Sequence, residues 1–509
     1  MEEIKEKSGN IPVIPRPQVY MAVQRAHSAL TMWESLGFKK RGRLMMELRR
    51  VILRRMDEIA ELVSKENGKP VIEAISHDIM PTIDLITWVA KKSEKLLKKE
   101  TIKLGKWSLM GHRSQLEYYP YGVVAVISPW NFPFSIPMGE IVMALMTGNT
   151  VVFKPSEYTP LAGIKIGELF KEAGVPATVV EVVTGDGSTG AALVDSEVNK
   201  IVFTGSVATG KKIMETAAKR LIPITLELGG KDPLLVLPDA DLDLASSAAV
   251  WGAFCNSGQV CASIERVYVH ESIAERFTRL VVEKTEKLHQ GPGGSTDVDV
   301  GSMTVEMQIK KVEQQVEDAK RRGATVLTGG ERNRELGDRF YKPTVLNNVD
   351  HTFPVVMEET FGPVLPIMTY STIDQAVQLA NDSPYGLNAY VWGRNLETAR
   401  KVASRLVAGT VNVNESVFTF AVPQTPWGGP KESGLGRTHG ALGLLEMVRL
   451  RHVYINRRAS KKSSFWWYPY SAEKLRLMKT LTEVLFGKGM ARLAAAVRFF
   501  WLKRKVKTM

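Results

Sequence analysis

The sequence predicts an α/β protein built on parallel sheets with helices on both faces. Two stretches, 122–228 and 233–413, each alternate short apolar strands with helices. Strands that are apolar throughout are typical of parallel sheets covered on both faces. The chain has 509 residues, 44% of them hydrophobic, and is long enough for two or three domains of about 150 residues each.

The individual elements follow from the spacing of the apolar residues. Apolar side chains recur at three- and four-residue steps in 20–33 and 41–66, which predicts helices, and the pattern becomes strand-like at 115–121. The strands predicted next are 122–128, 150–153, 179–183, 200–203 and 224–228. The helices predicted between and after them include 162–173, 187–194, 211–219, 272–289, 305–322 and 372–381.

The net charge of +13 is concentrated at the C-terminal end of the chain. Residues 457–509 hold 14 lysines and arginines against two acids, so the remaining residues carry about +1. The body therefore lacks the charge of a nucleic-acid-binding protein, and we expect no nucleic-acid partner. The charged first residues do not form a secretory signal, and two cysteines six residues apart do not form a disulfide framework, so we expect a cytoplasmic protein. No metal-binding motif is present, and we expect no metal.

Cys261 is the candidate nucleophile, and Glu227 is its candidate base. Cys261 lies in a loop of small residues, GQVCAS at 258–263, and Glu227 precedes it by 34 residues, just before a Gly-Gly turn. A thiolate is a strong nucleophile, and a carboxylate can accept its proton. Taken alone, Cys261 can equally be a small buried hydrophobe and Glu227 a loop acid; Cys255 is assigned to that structural role.

Two strand-to-helix turns are candidates for binding a cofactor. Gly205, Ser206 and Gly210 lie at the start of a helix, where backbone amides can approach a phosphate. Lys154 and Glu157 follow another strand, where an acid can bind ribose hydroxyls. An ordinary loop explains each turn at least as well when it is considered alone.

A third turn, PWNFP at 129–133, is a candidate for binding an oxyanion. Its two prolines hold Asn131 in a fixed position, from which the side-chain amide could donate to a developing negative charge. A buried amide that satisfies loop carbonyls is the commoner role for such an asparagine.

In order and spacing, these motifs together resemble the aldehyde dehydrogenase superfamily, in the hydrolytic branch that does not acylate coenzyme A. The resemblance spans about residues 20–456, and ELGGK at 227–231 with GQVC at 258–261 are its most specific motifs. The other motifs in family order are PWNFP at 129–133, KPSE at 154–157, FTGS at 203–206, ETFGP at 359–363 and SGLGR at 433–437.

The resemblance implies NAD-dependent oxidation of an aldehyde to a carboxylic acid. Cys261 would attack the carbonyl, Asn131 would hold the oxyanion, and Glu227 would activate the water that hydrolyses the thioester. The implied cofactor contacts are Trp130, Lys154, Ser156, Glu157, Gly205, Ser206, Gly210, Glu359 and Phe361. Glu157 favours NAD over NADP, because a 2′-phosphate would meet its negative charge.

The sequence departs from the family pattern at two positions. Thr438 stands where many members have an acid after Gly-x-Gly-Arg, and Glu140 stands where many have a lysine. Both positions are implicated in moving protons to or from the base. We therefore expect an altered proton relay, in which Glu140 replaces part of the missing groups.

The substrate entrance implied by the resemblance contains Phe132, Phe418, Phe420 and Trp427. The entrance loop 415–423 has no arginine to meet a carboxylate, which favours an apolar aldehyde of medium or long chain, or an aromatic one. Succinic or another semialdehyde is the alternative substrate. A different alternative is a membrane-tethered scaffold of the same fold with weak catalysis, because of the two departures at Glu140 and Thr438.

The resemblance implies a Rossmann-like parallel-sheet cofactor domain, a second α/β catalytic domain and a small bridging oligomerisation sheet. The predicted ranges are 1–99 and 121–229 for the NAD-binding domain, 230–430 for the catalytic domain, and 100–120 with 448–458 for the bridging strands. The bridging strands imply a homodimer or homotetramer.

Residues 459–509 form a separate basic and aromatic tail. Two helices, 472–486 and 490–503, are predicted, and apolar residues at helical spacing lie beside lysines and arginines in the second. No run reaches the roughly 18 apolar residues of a membrane span. This composition suits an anionic membrane surface, which would place the protein at the inner face of a membrane. An intersubunit arm or a cap with a solvated basic face is the alternative.

Overall fold

The computed structural model describes residues 11–109, 111–457 and 467–506. The chain divides into two compact units: Met1–Leu97 with Tyr119–Arg449, and Lys98–Tyr118 with Leu450–Met509. The predicted boundary between a cofactor domain and a catalytic domain at 229–230 stays a prediction. Four parts of the predicted domains lie outside the described residues: 1–10 of the cofactor domain, 110 and 458 of the bridging strands, and 459–466 and 507–509 of the tail.

The strands alternate with helices along most of the chain. The strands are β1 (Glu100–Ile102), β2 (His112–Pro120), β3 (Val123–Ile127), β4 (Thr150–Lys154), β5 (Val180–Val182), β6 (Lys200–Thr204), β7 (Ile224–Glu227), β8 (Asp232–Val236), β9 (Ile264–His270), β10 (Thr325–Thr328), β11 (Thr344–Asn347), β12 (Val364–Tyr370), β13 (Asn388–Trp392), β14 (Thr410–Val413), β15 (Gly434–Leu435) and β16 (Val448–Asn456).

Most of the helical segments are α-helices, and a few short ones are π- or 3₁₀ helices. The α-helices are Arg16–Ser35, Gly37–Arg54, Met56–Asn67, Val71–Glu73, Met80–Leu96, Lys106–Leu109, Ser135–Met146, Pro160–Glu172, Gly187–Asp195, Val207–Ala218, Leu242–Phe254, Ala274–Glu286, Glu306–Arg321, Pro354–Met357, Ile373–Asn381, Leu396–Ala403, Gly440–Glu446, Ala472–Phe486 and Gly489–Val506. Ala74–Ile79 is a π-helix, and Cys255–Gly258, Glu271–Ile273, Phe418–Ala421 and Lys431–Ser433 are 3₁₀ helices. The stretch 41–66, predicted as one helix, contains two, because the backbone leaves the helical region at Arg55.

The first large sheet has the strand order β15-β7-β6-β3-β4-β5. Neighbouring strands are parallel, except that β15 runs antiparallel to β7. From β3 the chain proceeds to β4 and β5 on one side and to β6 and β7 on the other. The order therefore reverses at β3, and ligands of parallel α/β sheets bind at the carboxyl ends of the strands beside such a reversal.

The second large sheet has the order β10-β11-β12-β9-β8-β13-β14 and is parallel except for β10. Side chains alternate between its two faces, so Leu235 packs in one apolar cluster and its neighbour Leu234 in another. Strands β3 and β8 are buried along their whole lengths. The prediction of a parallel α/β fold is confirmed.

The second unit contains a small sheet and two long helices. The sheet has the order β1-β2-β16, and β1 is antiparallel to β2. The helices Ala472–Phe486 and Gly489–Val506 follow the tail prediction closely. Within the described ranges, none of the helices has the length and apolar character needed to cross a membrane.

Candidate active site

The predicted cofactor and oxyanion residues lie at the carboxyl edge of the first sheet. Lys154 ends β4, Glu227 ends β7, Asn131 follows β3, and Gly205 follows β6. Because these strands are parallel, their carboxyl ends meet at one edge. Folding therefore brings together residues that the sequence separates by up to 96 positions.

The turn after β4 carries a charged pair. The Lys154 ammonium lies 3.0 Å from a carboxylate oxygen of Glu157. Lys154 is buried and Glu157 is exposed, and the Ser156 hydroxyl accepts a hydrogen bond from the Tyr158 N–H. This pair gives the edge one donor and one acceptor of the kind that ribose hydroxyls bind.

The turn after β6 opens the helix Val207–Ala218. Ser206 caps this helix, since its hydroxyl accepts from the Thr209 N–H at 3.3 Å. The Gly205 N–H already donates to the Glu227 carbonyl at 3.0 Å, and a Cβ at Gly210 would lie 2.6 Å from the Leu228 side chain. The two glycines thus have structural roles, and the anion-binding capacity belongs to the N–H groups of the first helical turn.

Glu359, Phe361 and Trp130 line the other side of the edge. The Glu359 carboxylate accepts from the Gly230 N–H at 3.0 Å, and burial, followed by the charge of Glu265, raises the pKa of Glu359 to about 7. The rings of Phe361 and Trp130 meet edge to face with centroids 5.4 Å apart. Together they supply a carboxylate and an aromatic wall.

The loop that carries Cys261 has an unusual backbone. Asn256, Ser257 and Gly258 adopt positive φ angles of 48°, 56° and 70°. A Cβ at Gly258 would lie 2.3 Å from the backbone carbonyl of Gly362, so this position accepts only glycine. The loop is thereby fixed against the Glu359 segment just before it presents the Cys261 thiol.

Asn131 is connected to the same loop. Its side-chain amide donates to the Gln259 carbonyl at 3.0 Å, while its side-chain oxygen has no partner among the described residues. The Asn131 carbonyl accepts from the Lys69 ammonium at 2.8 Å and from the Asn256 amide at 2.9 Å. The amide is therefore bound to a residue two positions before Cys261, close to where an oxyanion donor is required.

A buried ion pair, which the sequence did not predict, lies beneath Asn131. Lys69 and Asp78 have fully buried side chains, with the ammonium 2.8 Å from the carboxylate. The same carboxylate accepts from the Phe134 and Ser135 N–H groups at 3.2 and 3.0 Å. The pair thus holds both ends of the turn around Asn131. No motif surrounds Lys69 or Asp78, so only the fold reveals their connection to the site.

A cavity of about 680 Å³ leads to Cys261. Its lining is mostly apolar and contains all four residues predicted for the substrate entrance, Phe132, Phe418, Phe420 and Trp427. Phe420 and Trp427 meet edge to face, with centroids 5.2 Å apart. This volume accommodates a medium-sized organic molecule.

The polar groups in this channel are few. Lys284 also lines it but is bound to Asp243 at 2.8 Å and to the Ser247 hydroxyl at 2.7 Å. Lys287 is exposed and borders the same cavity. His77, on the π-helix, contacts the rings of Phe132 and Trp251, and burial lowers its pKa to about 4, so it is neutral at pH 7.

A second, much smaller cavity of about 20 Å³ also borders Cys261. Its lining includes the carboxylates of Glu227 and Glu140 and the side chains of Thr438 and His439. A space of this size holds about one water molecule. The thiol therefore lies between an apolar channel and a small polar compartment.

Burial controls the protonation of these groups. Burial, and then the charge of Glu140, raises the pKa of Glu227 well above its usual value, and neither Glu227 oxygen has a hydrogen-bond partner among the described residues. Glu140 accepts from Thr204 at 2.8 Å and Ser128 at 3.1 Å, and burial raises its pKa to about 7. Burial, and then the charges of Asp232 and Glu227, raises the pKa of Cys261. The thiol therefore needs a base.

His439 is a further group at this cavity that sequence reasoning missed. Its ring lies 3.1 Å from the Thr438 hydroxyl and meets the Phe420 ring edge on, and burial lowers its pKa to about 4. The polar compartment thus contains two carboxyls, two threonine hydroxyls and a neutral imidazole, which are groups able to pass protons.

Comparison with known proteins gives a consistent result. The model of the aldehyde dehydrogenase family matches residues 4–453. A 4,4′-diapolycopene aldehyde oxidase from Methylomonas sp is 37% identical over 482 residues, covering 94% of this chain and 89% of that protein. A Mycolicibacterium smegmatis protein provisionally named succinate-semialdehyde dehydrogenase [NADP(+)] is 36% identical and covers 88% of this chain and 86% of its own length.

A solved structure shows the same fold. It is the NAD+ complex of an aldehyde dehydrogenase from Bacillus cereus, with 36% identity and a TM-score of 0.84. The match covers 87% of this chain and 89% of that one.

Proposed function

We propose a specific reaction for this chain, which belongs to the aldehyde dehydrogenase family and is an oxidoreductase that acts on the aldehyde group. The reaction is the oxidation of an apolar aldehyde to its carboxylic acid by NAD and water. The observation that carries this proposal is the position of Cys261 between the apolar channel and the compartment of Glu227.

The proposed reaction begins with the Cys261 thiol. Glu227 accepts the thiol proton, the thiolate attacks the aldehyde carbon, and a thiohemiacetal forms. The Asn131 amide and the Cys261 N–H stabilise the negative oxygen. Loss of a hydride from the carbon leaves a thioester on Cys261. Glu227 first releases the thiol proton to solvent. Its free carboxylate then takes a proton from water, which attacks the thioester; the carboxylic acid leaves with cleavage of the C–S bond, and the Cys261 thiolate recovers a proton from Glu227.

The residues at the sheet edge fit a nicotinamide dinucleotide, which supplies the hydride acceptor when bound. The first turn of Val207–Ala218 would hold the pyrophosphate, Lys154 and Glu157 the adenosine ribose, and Glu359 the nicotinamide ribose. Trp130 and Phe361 would enclose the nicotinamide. We propose NAD as the preferred form, because the exposed Glu157 carboxylate would repel a 2′-phosphate. Glu157→Gln should lower the ratio of the KM for NADP to the KM for NAD.

An apolar aldehyde fits the channel best. The large cavity is lined mainly by apolar side chains, and Lys284 is already paired with Asp243. The Methylomonas relative is named a 4,4′-diapolycopene aldehyde oxidase, and this name supports the proposal. Succinic semialdehyde is the second candidate, favoured by the exposed Lys287 at the cavity and by the name of the mycobacterial relative.

We further propose a homo-oligomer and a peripheral place on a membrane. The small sheet ends at β16, an edge strand among the described residues, and a second copy could extend the sheet there. The basic tail favours an anionic membrane surface.

A series of straight-chain aldehydes tests the substrate class. Each added methylene buried in the channel is worth about 0.8 kcal/mol, so kcat/KM should rise about fourfold per carbon until the channel is filled. Succinic semialdehyde should react more slowly than pentanal. A higher kcat/KM for succinic semialdehyde would transfer the proposal to the semialdehyde alternative.

Two substitutions test the chemistry. Glu227→Gln should slow the formation of NADH, because the thiol loses its base, and should stop after about one NADH per subunit with the acyl group retained on Cys261, detectable by mass spectrometry. Cys261→Ala should release none while still binding NAD. Steady turnover by the Glu227→Gln variant would contradict the assignment of the base, and NAD binding without turnover in the wild type would support the scaffold alternative.

A further inference from the structure

The two C-terminal helices form a hairpin in which they pack against each other. Leu477 and Leu481 on the first helix and Ala495 on the second are buried. Arg498 pairs with Glu483 at 2.8 Å, and Arg492 donates to the Val484 carbonyl at 2.9 Å. The hairpin therefore has its own packed interior and polar ties, and its outer surface does not serve to hold the helices together.

The second helix also carries an apolar stripe on its outside. We call this set of residues the outer stripe, and they recur at steps of three and four, which places them on one side of the helix. Each is between 61% and 86% exposed: Met490, Leu493, Val497, Phe500 and Trp501. Isolated exposed apolar residues are ordinary, whereas a contiguous set of this kind marks an interaction surface.

Basic side chains lie on the same helix as the outer stripe, and aromatic side chains precede the hairpin in the sequence. Arg492, Arg498 and Lys503 are exposed on the same helix. The aromatic residues that precede the hairpin, Trp467, Tyr468 and Tyr470, are 60%, 80% and 69% exposed. Residues 457–509 carry 14 basic residues against two acids. Amphipathic aromatic rings and basic side chains are the groups that favour the headgroup region of a bilayer.

We propose that the outer stripe docks on an anionic lipid surface, with the helix Gly489–Val506 lying in the plane of the interface. The apolar residues enter the boundary between headgroups and acyl chains, and the excess of basic over acidic side chains in the tail attracts the lipid phosphates. The charge of the tail favours a lipid surface over a second copy of the chain. Two such basic surfaces repel each other, whereas an anionic bilayer attracts the basic surface.

Docking through the outer stripe specifies the surface and the lipid of the peripheral membrane association proposed above, and rests on that proposal. Docking also affects the supply of substrate, provided that the substrate is the proposed apolar aldehyde. Apolar aldehydes partition into bilayers, so an enzyme held at the surface meets them at a higher concentration than in water.

Flotation with lipid vesicles tests the proposal on the full chain. The wild type should float with vesicles containing phosphatidylglycerol about tenfold more than with pure phosphatidylcholine vesicles, and high salt should reduce the difference. Phe500→Ser with Trp501→Ser should lose about tenfold of this binding. The matched control, Leu53→Ser with Met307→Ser, removes apolar side chains that are also exposed, 45% and 66%, and should float like the wild type.

Two further measurements separate the outcomes. Oxidation of a short, water-soluble aldehyde without vesicles should be equal in all three proteins, and its absence would defeat the proposed function without bearing on docking. Equal flotation of the wild type and the Phe500 and Trp501 variant would overturn the docking proposal. A change of oligomeric state in that variant, measured by light scattering, would assign the outer stripe to a second copy instead.

Discussion

The carboxyls of Glu140 and Glu227 share a compartment that has room for about one water molecule. At the scale of single residues, this proximity has an electrostatic consequence, since the charge of Glu140 contributes to the raised pKa of Glu227. Glu140 is also hydrogen-bonded to Thr204 and Ser128, which holds it in place for proton exchange. The two carboxyls are therefore expected to titrate together.

The substitution Glu140→Gln should change the hydrolysis of the thioester in two ways. Removal of the negative neighbour lowers the pKa of Glu227, so the pH at half-maximal hydrolysis should move to lower values. Loss of a proton acceptor should slow hydrolysis at the plateau by about tenfold or more. Single-turnover kinetics across roughly pH 5 to 9 measures both effects. An unchanged rate and pH profile would remove Glu140 from the relay.

The pair Lys69 and Asp78 should act on catalysis through Asn131. Asp78→Asn leaves the Lys69 ammonium buried without its counter-ion and weakens the hold on the turn, so kcat should fall by at least about tenfold with a smaller change in the KM for NAD. The variant Asp78→Glu should recover part of the rate. A loss confined to thermal stability, with kcat intact, would show that the pair is only structural.

Residue patterns identify the proposed reactive groups more readily than the residues that support them. Cys261 and Glu227 lie in runs whose small residues and spacing mark them, and the structure places both at one compartment. Lys69, Asp78 and His439 lie in no such run, and their proximity to the site arises from long-range packing. A buried ion pair leaves no local pattern, because each partner alone looks like an ordinary surface charge.

At the scale of elements, the apolar periodicity predicted most strands and helices but not the shape of the loops between them. The stretch 41–66 kept its helical periodicity across Arg55, where the chain starts a new helix, so the pattern could not reveal the break. The left-handed run from Asn256 to Gly258 was equally invisible, because Ser257 at its centre is not a residue type that favours positive φ.

That run makes Gly258 sensitive to substitution. Gly258→Ala places a Cβ 2.3 Å from Gly362 at a positive φ, so it should destabilise the protein by more than about 2 kcal/mol and displace Cys261. Gly190→Ala is the control: the site is helical with open space around it, and alanine should stabilise the helix by about 0.5–1 kcal/mol. Thermal unfolding and NADH formation measure the two effects. Equal behaviour of the two variants would refute this account of the loop.

At the scale of the whole molecule, several buried groups have displaced pKa values. Burial raises the pKa of Glu66, Glu73, Glu140 and Glu359 to about 7. Burial lowers the pKa of His77 and His439 to about 4. The four acids bind more protons in the folded state than in the unfolded state between about pH 4.5 and 7, and the two histidines bind fewer between about pH 4 and 6.5.

These shifts predict how stability depends on pH. The stability from the neutral acids is fully present below about pH 4.5 and is lost as the pH rises through about 7, whereas the histidine contribution is present above about pH 6.5 and is lost as the pH falls through about 4. Between about pH 6.5 and 7.5 only the contribution of the acids to stability changes, so Tm should fall as the pH rises. Glu66→Gln should reduce this slope in scanning calorimetry. A Tm that rises over the same interval would contradict the shifts.

The position of Cys261 between two compartments also separates the route of the acyl chain from the route of water. In the proposed reaction, an acyl chain attached to the thiol would fill the apolar channel and close that approach to other nucleophiles. Water would reach the thioester from the side of Glu227, in a space with room for about one molecule. Size alone would then keep amines and bulky thiols from the acyl group, so we expect hydrolysis to be the route of release.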